Sequence, residues 1–141
     1  MKHDKFDIKF LLLDKLNVVE ELSLREAGCY GFEINDIITA TRILTLIQNG
    51  SFTSSSLAKK LNISRQAIHK SITNLCDKGF LELQTDETNK KNKIIHITNS
   101  GYELLECRTA VMEKVENKIL EKIGKDNYKK LKEILTIDWC D

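Results

Sequence analysis

The sequence predicts a mainly α fold with one small β-hairpin, and three observations carry that expectation. The chain has no proline and only six glycines in 141 residues, where average usage would give about seven and ten. Nothing interrupts long helices. Apolar residues recur at spacings of three and four over most of the chain. Strict alternation is confined to FLELQT at 80–85 and IIHIT at 94–98, the period of a half-buried strand.

Residues 4–22 carry ten apolar side chains from Phe6 to Leu22, more than one helix face can hold, so the first helix is expected to pack on two sides. Asn35 is placed to cap a second helix, 36–49, rich in isoleucine and leucine and stopped by Asn49-Gly50. Thr53 or one of Ser54 to Ser56 caps a short helix ending near Leu61. Asn62-Ile63 then makes a tight turn, and Ser64 caps a helix over about 65–78. The two alternating runs form a hairpin, with Leu81 and Leu83 facing together, as do Ile95 and Ile97. Between them DETNKKNK is a polar, lysine-rich loop. From about 100 to 123, Leu104, Cys107, Val111, Val115, Ile119 and Ile123 form the stripe of a long amphipathic helix. Ser100 and Glu103 offer a capping box at its start, Gly124 ends it, and a last short helix carries Tyr128, Leu131, Ile134 and Leu135, with Trp139 expected to anchor the C-terminus.

Composition narrows the function. With 41% hydrophobic and 30% charged residues the chain suits one globular domain. No apolar run approaches the roughly 20 residues of a membrane span, and the N-terminus lacks the apolar core and cleavage site of a signal peptide. A cytoplasmic location is expected. Cysteines 29, 76, 107 and 140 form no CxxC pair and have only three histidines to join them, so neither a zinc site nor another metal or cofactor is expected. They read as reduced thiols. Cys107 falls in a helical core stripe, whereas Cys29, in a loop beside Tyr30, is the candidate redox residue. No nucleophile–base set, phosphate-cradling glycine loop or HExxH motif is present, so no enzymatic activity is expected, and His96 reads as a partly exposed strand residue.

The net charge of +1 conceals an uneven distribution. Residues 1–53 hold 6 basic and 8 acidic side chains, residues 54–93 hold 8 and 4, and residues 94–141 hold 8 and 9. The basic middle comprises the helix-turn-helix and the lysine-rich hairpin loop, which could meet a phosphate backbone together. In SSLAKKLNISRQAIHKSITNLCDKG the apolar residues Leu57, Ala58, Leu61, Ile63, Ile68, Ile72 and Leu75 match what a helix-turn-helix buries, with Ile63 expected to plug the turn. On a helical wheel Ile72 and Leu75 fall within about 40° of Ile68, and Gln66, Lys70 and Thr73 point roughly opposite. Arg65, His69 and Asn74 flank them. Such a face suits a major groove, where Arg, Lys and Gln read base edges and a residue such as Ser64 can hold a phosphate.

The run from Ile34 to Glu106 resembles the winged-helix core of the MarR family, the multiple antibiotic resistance regulators. It has a leading helix ending ILTLIQNG, then LAKKLNIS, a recognition helix closing as NLCDKGFLE, and a strand ending ITNSG. The last matches the family's Leu-Thr-x-x-Gly as Ile97-Thr98 and Gly101. The resemblance implies a winged helix-turn-helix core over 34–99, with its recognition helix at about 65–78 and its wing at about 80–98. An N-terminal dimerisation helix and loop over 1–33 and C-terminal dimerisation helices over 100–141 would flank it. It further implies two recognition helices entering successive major grooves of a pseudo-palindrome. One departure stands out: where the family's wing carries Asp-x-Arg, this chain has Asn89 and Lys91. Lysine lacks the planar fork of arginine, so Lys90, Lys91 and Lys93 are expected to act mainly on phosphates.

The expected function is a sequence-specific regulator of transcription on double-stranded DNA, a homodimeric repressor released by a small aromatic or anionic ligand or by oxidation. The alternative is a winged-helix dimer that contacts other proteins without DNA.

Overall fold

The computed structural model describes residues 5–27, 31–33, 36–89 and 93–140; Cys29, the expected cap Asn35, and Lys90 and Lys91 lie outside them. Helix α1 runs Ile8–Ala27. It starts later than the apolar pattern alone suggests because the Asp7 carboxylate accepts the amide of Phe10 at 2.8 Å, which caps the first turn. It continues past Leu22 through a Glu21–Arg25 pair one turn apart at 2.7 Å, to Ala27, which is fully buried.

The second helix differs from the uninterrupted 36–49 segment that periodicity predicts. A single wide π-turn, Asp36–Ala40, precedes the α-helix α2, Thr41–Gln48. The buried Thr41 hydroxyl donates back to the Ile37 carbonyl at 2.8 Å, a side-chain bond that competes with regular winding, and insertions of this kind are frequent where a helix serves a site. Helices α3 (Ser54–Leu61) and α4 (Arg65–Asp77) follow, then strands β1 (Leu81–Thr85) and β2 (Lys93–Ile97), α5 (Asn99–Ile123) and α6 (Lys125–Thr136). The strands are antiparallel, with Leu81 opposite Ile97 and Thr85 opposite Lys93. On the far side of β2, the Ile95 amide donates to the Phe52 carbonyl at 2.9 Å, so the α2–α3 loop is tied to the hairpin. Leu81 and Ile95 are buried, but Leu83 is exposed; the hairpin has left the core by that residue.

The chain divides into two compact units, Ala27–Thr109 and Met1–Glu26 with Ala110–Asp141. In the first, Ile37, Leu44, Leu57, Ile68, Ile95 and Leu104 are fully buried and join the helices to the hairpin. Cys107 is buried there too, as its place in the stripe predicts. The start of α5 corrects the expected capping box at Ser100. Thr98 takes that role, its hydroxyl oxygen accepting the Gly101 amide at 3.1 Å. A Cβ on Gly101 would run into the Phe80 carbonyl oxygen and lie 2.7 Å from Ile97 Cγ2, so only glycine permits so close an approach.

In the second unit Val111 and Val115 are buried, and Ser23 of α1 places its hydroxyl 3.9 Å from the sulfur of Met112. Glu26 pairs with Lys118 at 2.6 Å. Much apolar surface remains open. Helix α6 has no buried residue, and Ile8, Phe10, Leu13 and Leu16 on α1 are exposed, as are Leu131, Ile134, Leu135 and Ile137 at the C-terminal end. Trp139 donates its indole N–H to the Ile134 carbonyl at 3.3 Å, yet it is 57% exposed, so it does not anchor the terminus in a core. No helix among the described residues is long and apolar enough to cross a membrane.

Candidate nucleic-acid interface

The helix-turn-helix is built by two capping side chains and one left-handed residue. Thr53 caps α3, its hydroxyl accepting the Ser56 amide at 3.2 Å, and Ser64 caps α4 by accepting the Ala67 amide at 3.1 Å. Between them Asn62 adopts φ 54° and closes α3, a conformation asparagine tolerates better than most residues. The Ile63 amide then donates to the Ala58 carbonyl at 3.1 Å. This geometry turns the Ile63 side chain outward to 39% exposure. The expectation that Ile63 plugs the turn is therefore corrected: Leu57 and Ala58 are buried there instead, and Leu61 is half-buried.

Helix α4 separates its two faces as the wheel predicts. Ile68, Ile72 and Leu75 are at most 3% exposed, whereas Arg65, Gln66, His69, Lys70, Thr73 and Asn74 are all exposed. These six side chains share one side of the helix with no carboxylate among them, and Asp77 enters only at its last residue. Ser64 stands exposed at the positive end of the helix, where backbone N–H groups favour an anion. Lys59 and Lys60, in the last turn of α3, are also exposed and add positive charge beside the turn.

The hairpin supplies less. Lys93 is exposed at its loop end, opposite Thr85; Lys90 and Lys91 lie outside the described residues, so the three lysines are not seen together. The loop begins with a tight turn in which Asp86 accepts both the hydroxyl of Thr88 at 2.7 Å and its amide at 3.0 Å. Those bonds hold the Asp86 carboxyl below its ordinary range.

One ion pair of this unit has no local sequence signal. Lys78, the C-cap of α4, reaches 2.7 Å from the carboxylate of Asp36 across 42 residues of sequence. The hydrogen bond that Lys78 donates to Asp36 raises the Lys78 pKa, outweighing the opposing effect of burial. Close by, the ring of Phe32 lies 6.2 Å from that of Phe80 in a tilted arrangement. Among the described residues no group of three His, Cys, Asp or Glu side chains could hold a metal. Cys76, the thiol on α4, is pushed up in pKa by burial and then by Asp77, which keeps it in its unreactive protonated form.

The family described as HTH domain matches residues 39–103. No curated protein matches the chain. Among solved structures, MarR in its apo form from E. coli is similar at 16% identity, covering 92% of this chain and 95% of that one with a TM-score of 0.72. The S. aureus MepR–DNA complex is similar at 19% identity, with coverages of 93% and 95% and a TM-score of 0.69. S. aureus MepR bound to ethidium bromide matches at 18%, covering 94% of each chain, with a TM-score of 0.58. From the capped turn through the paired strands to the long fifth helix, the chain has the winged helix-turn-helix fold of the MarR-family regulators.

Proposed function

We propose that this protein is a sequence-specific regulator of transcription that binds double-stranded DNA as a homodimer and acts as a repressor. The observation that carries the reading is the division of α4: Ile68, Ile72 and Leu75 lock one side into the core, and the six exposed polar side chains leave the other side open and rich in donors. In this reading Arg65, Gln66, His69, Lys70, Thr73 and Asn74 face base edges and phosphates, Ser64 holds a phosphate at the helix start, and Lys90, Lys91 and Lys93 follow the backbone from the wing. That MepR has been solved with DNA bound to the same fold supports it.

The dimer reading rests on α1 and α6. A helix with apolar residues around its whole circumference needs neighbours on every side, and α6, with no buried residue, gains nothing from folding unless something covers it. A second copy of the chain supplies both needs through a two-fold interface, with residues 1–33 and 100–141 as the dimerising segments. Release by a small aromatic or anionic ligand, or by oxidation at Cys29, would act by favouring a dimer whose recognition helices no longer match one turn of DNA. MepR with ethidium bound shows a small aromatic cation taken by a protein of this fold.

Selection of bound duplexes from a random pool tests the reading. The expected product is a pseudo-palindrome with half-sites about one helical turn apart. Failure to retain any duplex at low salt would overturn it in favour of a protein-contact module.

A further inference from the structure

We infer that the Asp36–Lys78 ion pair is a positioning contact that sets the angle at which the recognition helix is presented, and so governs sequence discrimination and not bulk affinity. The inference rests on the DNA-binding reading of α4 and names two residues outside the recognition face.

The apolar contacts of α4, through Ile68, Ile72 and Leu75, hold the helix against the core but are non-directional. The Lys78–Asp36 bond is directional and charge-assisted at 2.7 Å. The Asp36 side chain is only 9% exposed, so its carboxylate has little water to turn to and keeps Lys78 as its partner. Lys78 sits at the C-terminal end of α4, and the reading residues begin at Arg65. At a rise of about 1.5 Å per residue the separation is about 20 Å, and a tilt of about 10° at Lys78 would move Arg65 by about 3 Å. That exceeds the tolerance of a base-edge hydrogen bond. Asp36 is also the first residue of the π-turn that begins the α2 region, so the pair ties the chain entering α2 to the far end of the reading helix.

The alternative role for Lys78, a direct phosphate contact, makes the opposite prediction. Phosphate contacts raise affinity for every sequence alike, whereas a positioning contact changes the ratio of specific to non-specific binding. The experiment compares Asp36→Asn, Lys78→Met and Lys78→Arg with the parent protein, using duplexes that the parent selects from a random pool and a scrambled duplex of equal composition. Thermal melting identifies folded variants, and hydrogen exchange follows the amides of Asp36–Ile37 and Lys78–Phe80. Asp36→Asn and Lys78→Met should each lower the specific-to-scrambled ratio about tenfold, comparable to one lost base contact. Scrambled-duplex binding should stay within about twofold, and exchange at both ends of the pair should speed up in either variant. Lys78→Arg should restore the ratio. An unchanged ratio, or loss of scrambled binding with Lys78→Met alone, would overturn the proposal. If the parent binds no duplex, the DNA-binding reading fails separately, and the exchange data judge the pair: protection unchanged in both variants would show that it fixes nothing.

Discussion

The hydroxyl of Thr98 donates to the carbonyl oxygen of Gly79 at 2.5 Å and, through its oxygen, accepts the amide of Gly101. One side chain thereby joins the end of α4, the end of the hairpin and the start of α5, and the Thr98 amide adds a bond to the Phe80 carbonyl at 3.1 Å. The Ile-Thr-x-x-Gly run is thus a junction: threonine supplies donor and acceptor, and glycine three residues later leaves room for the Phe80 carbonyl. Thr98→Val, which keeps the shape and removes both bonds, should cost about 1–3 kcal/mol, and Thr98→Ser should recover most of it. Gly101→Ala should cost about 1–3 kcal/mol by overpacking against backbone that cannot move aside. Chemical denaturation of the three variants measures both effects.

On the face of α4 proposed to read DNA, charge and hydrogen-bonding residues should fail differently. Lys70→Ala is expected to weaken binding to all duplexes and flatten the slope of log K against log salt by about one unit. Gln66→Ala should leave that slope unchanged and relax discrimination at one base pair by about 1–3 kcal/mol. Titrations at several salt concentrations against matched and mismatched duplexes separate the two. Equal slopes for parent and Lys70→Ala would remove Lys70 from the phosphate contacts.

Features written in local pattern are legible in the sequence. The Ser64 cap and the inward Ile68–Ile72–Leu75 stripe depend on residues within a turn or two of one another, and each hairpin strand carries its own alternation, so periodicity and capping chemistry suffice. What escaped depends on distant partners or on backbone detail. Asp36 and Lys78 are 42 residues apart, and neither shows a local reason to be singled out. Ile63 looked buried because it is apolar and sits in the turn, but the left-handed Asn62 before it determines where its side chain points. At α5 the sequence places the cap at Ser100; Thr98 takes the role instead, and its hydroxyl also reaches Gly79, a choice set by tertiary contact.

The open apolar residues of α6 give a test of the proposed dimer. Replacing Ile134 or Leu135, each about half exposed, by Asp would put a charge where the proposed partner copy lies, and an unpaired buried charge costs several kcal/mol. Light scattering should report a dimer for the parent at micromolar concentration and a monomer for Ile134→Asp. A single mass for both, whether monomer or dimer, would count against α6 as the interface.

Glu26 predicts a pH dependence for the unit that holds α1. The hydrogen bond from Lys118 lowers its pKa below the usual 4.5, burial opposes this, and the charges of Lys118 and Lys114 add to the lowering. A carboxyl whose folded pKa is depressed contributes stability that is present above its unfolded pKa and is lost as pH falls through the folded one. Stability should therefore decline below about pH 4.5, and Glu26→Gln should make that decline shallower while leaving neutral-pH secondary structure unchanged. Denaturation curves at a series of acid pH values compare the two proteins.

The wing offers a gain-of-function test. The resemblance to the MarR family places Lys91 where that family's wing carries an arginine. A narrow minor groove concentrates negative potential, and guanidinium enters it more readily than the more strongly hydrated ammonium. Lys91→Arg keeps the charge, so any change reflects geometry and hydration. The expected result is tighter binding to duplexes whose half-sites are flanked by A-tracts, by about threefold to tenfold, with little change for G·C flanks. Equal affinities for both flanks in parent and variant would mean that the wing reads only phosphates whichever cation it carries, leaving α4 as the sole reader of sequence.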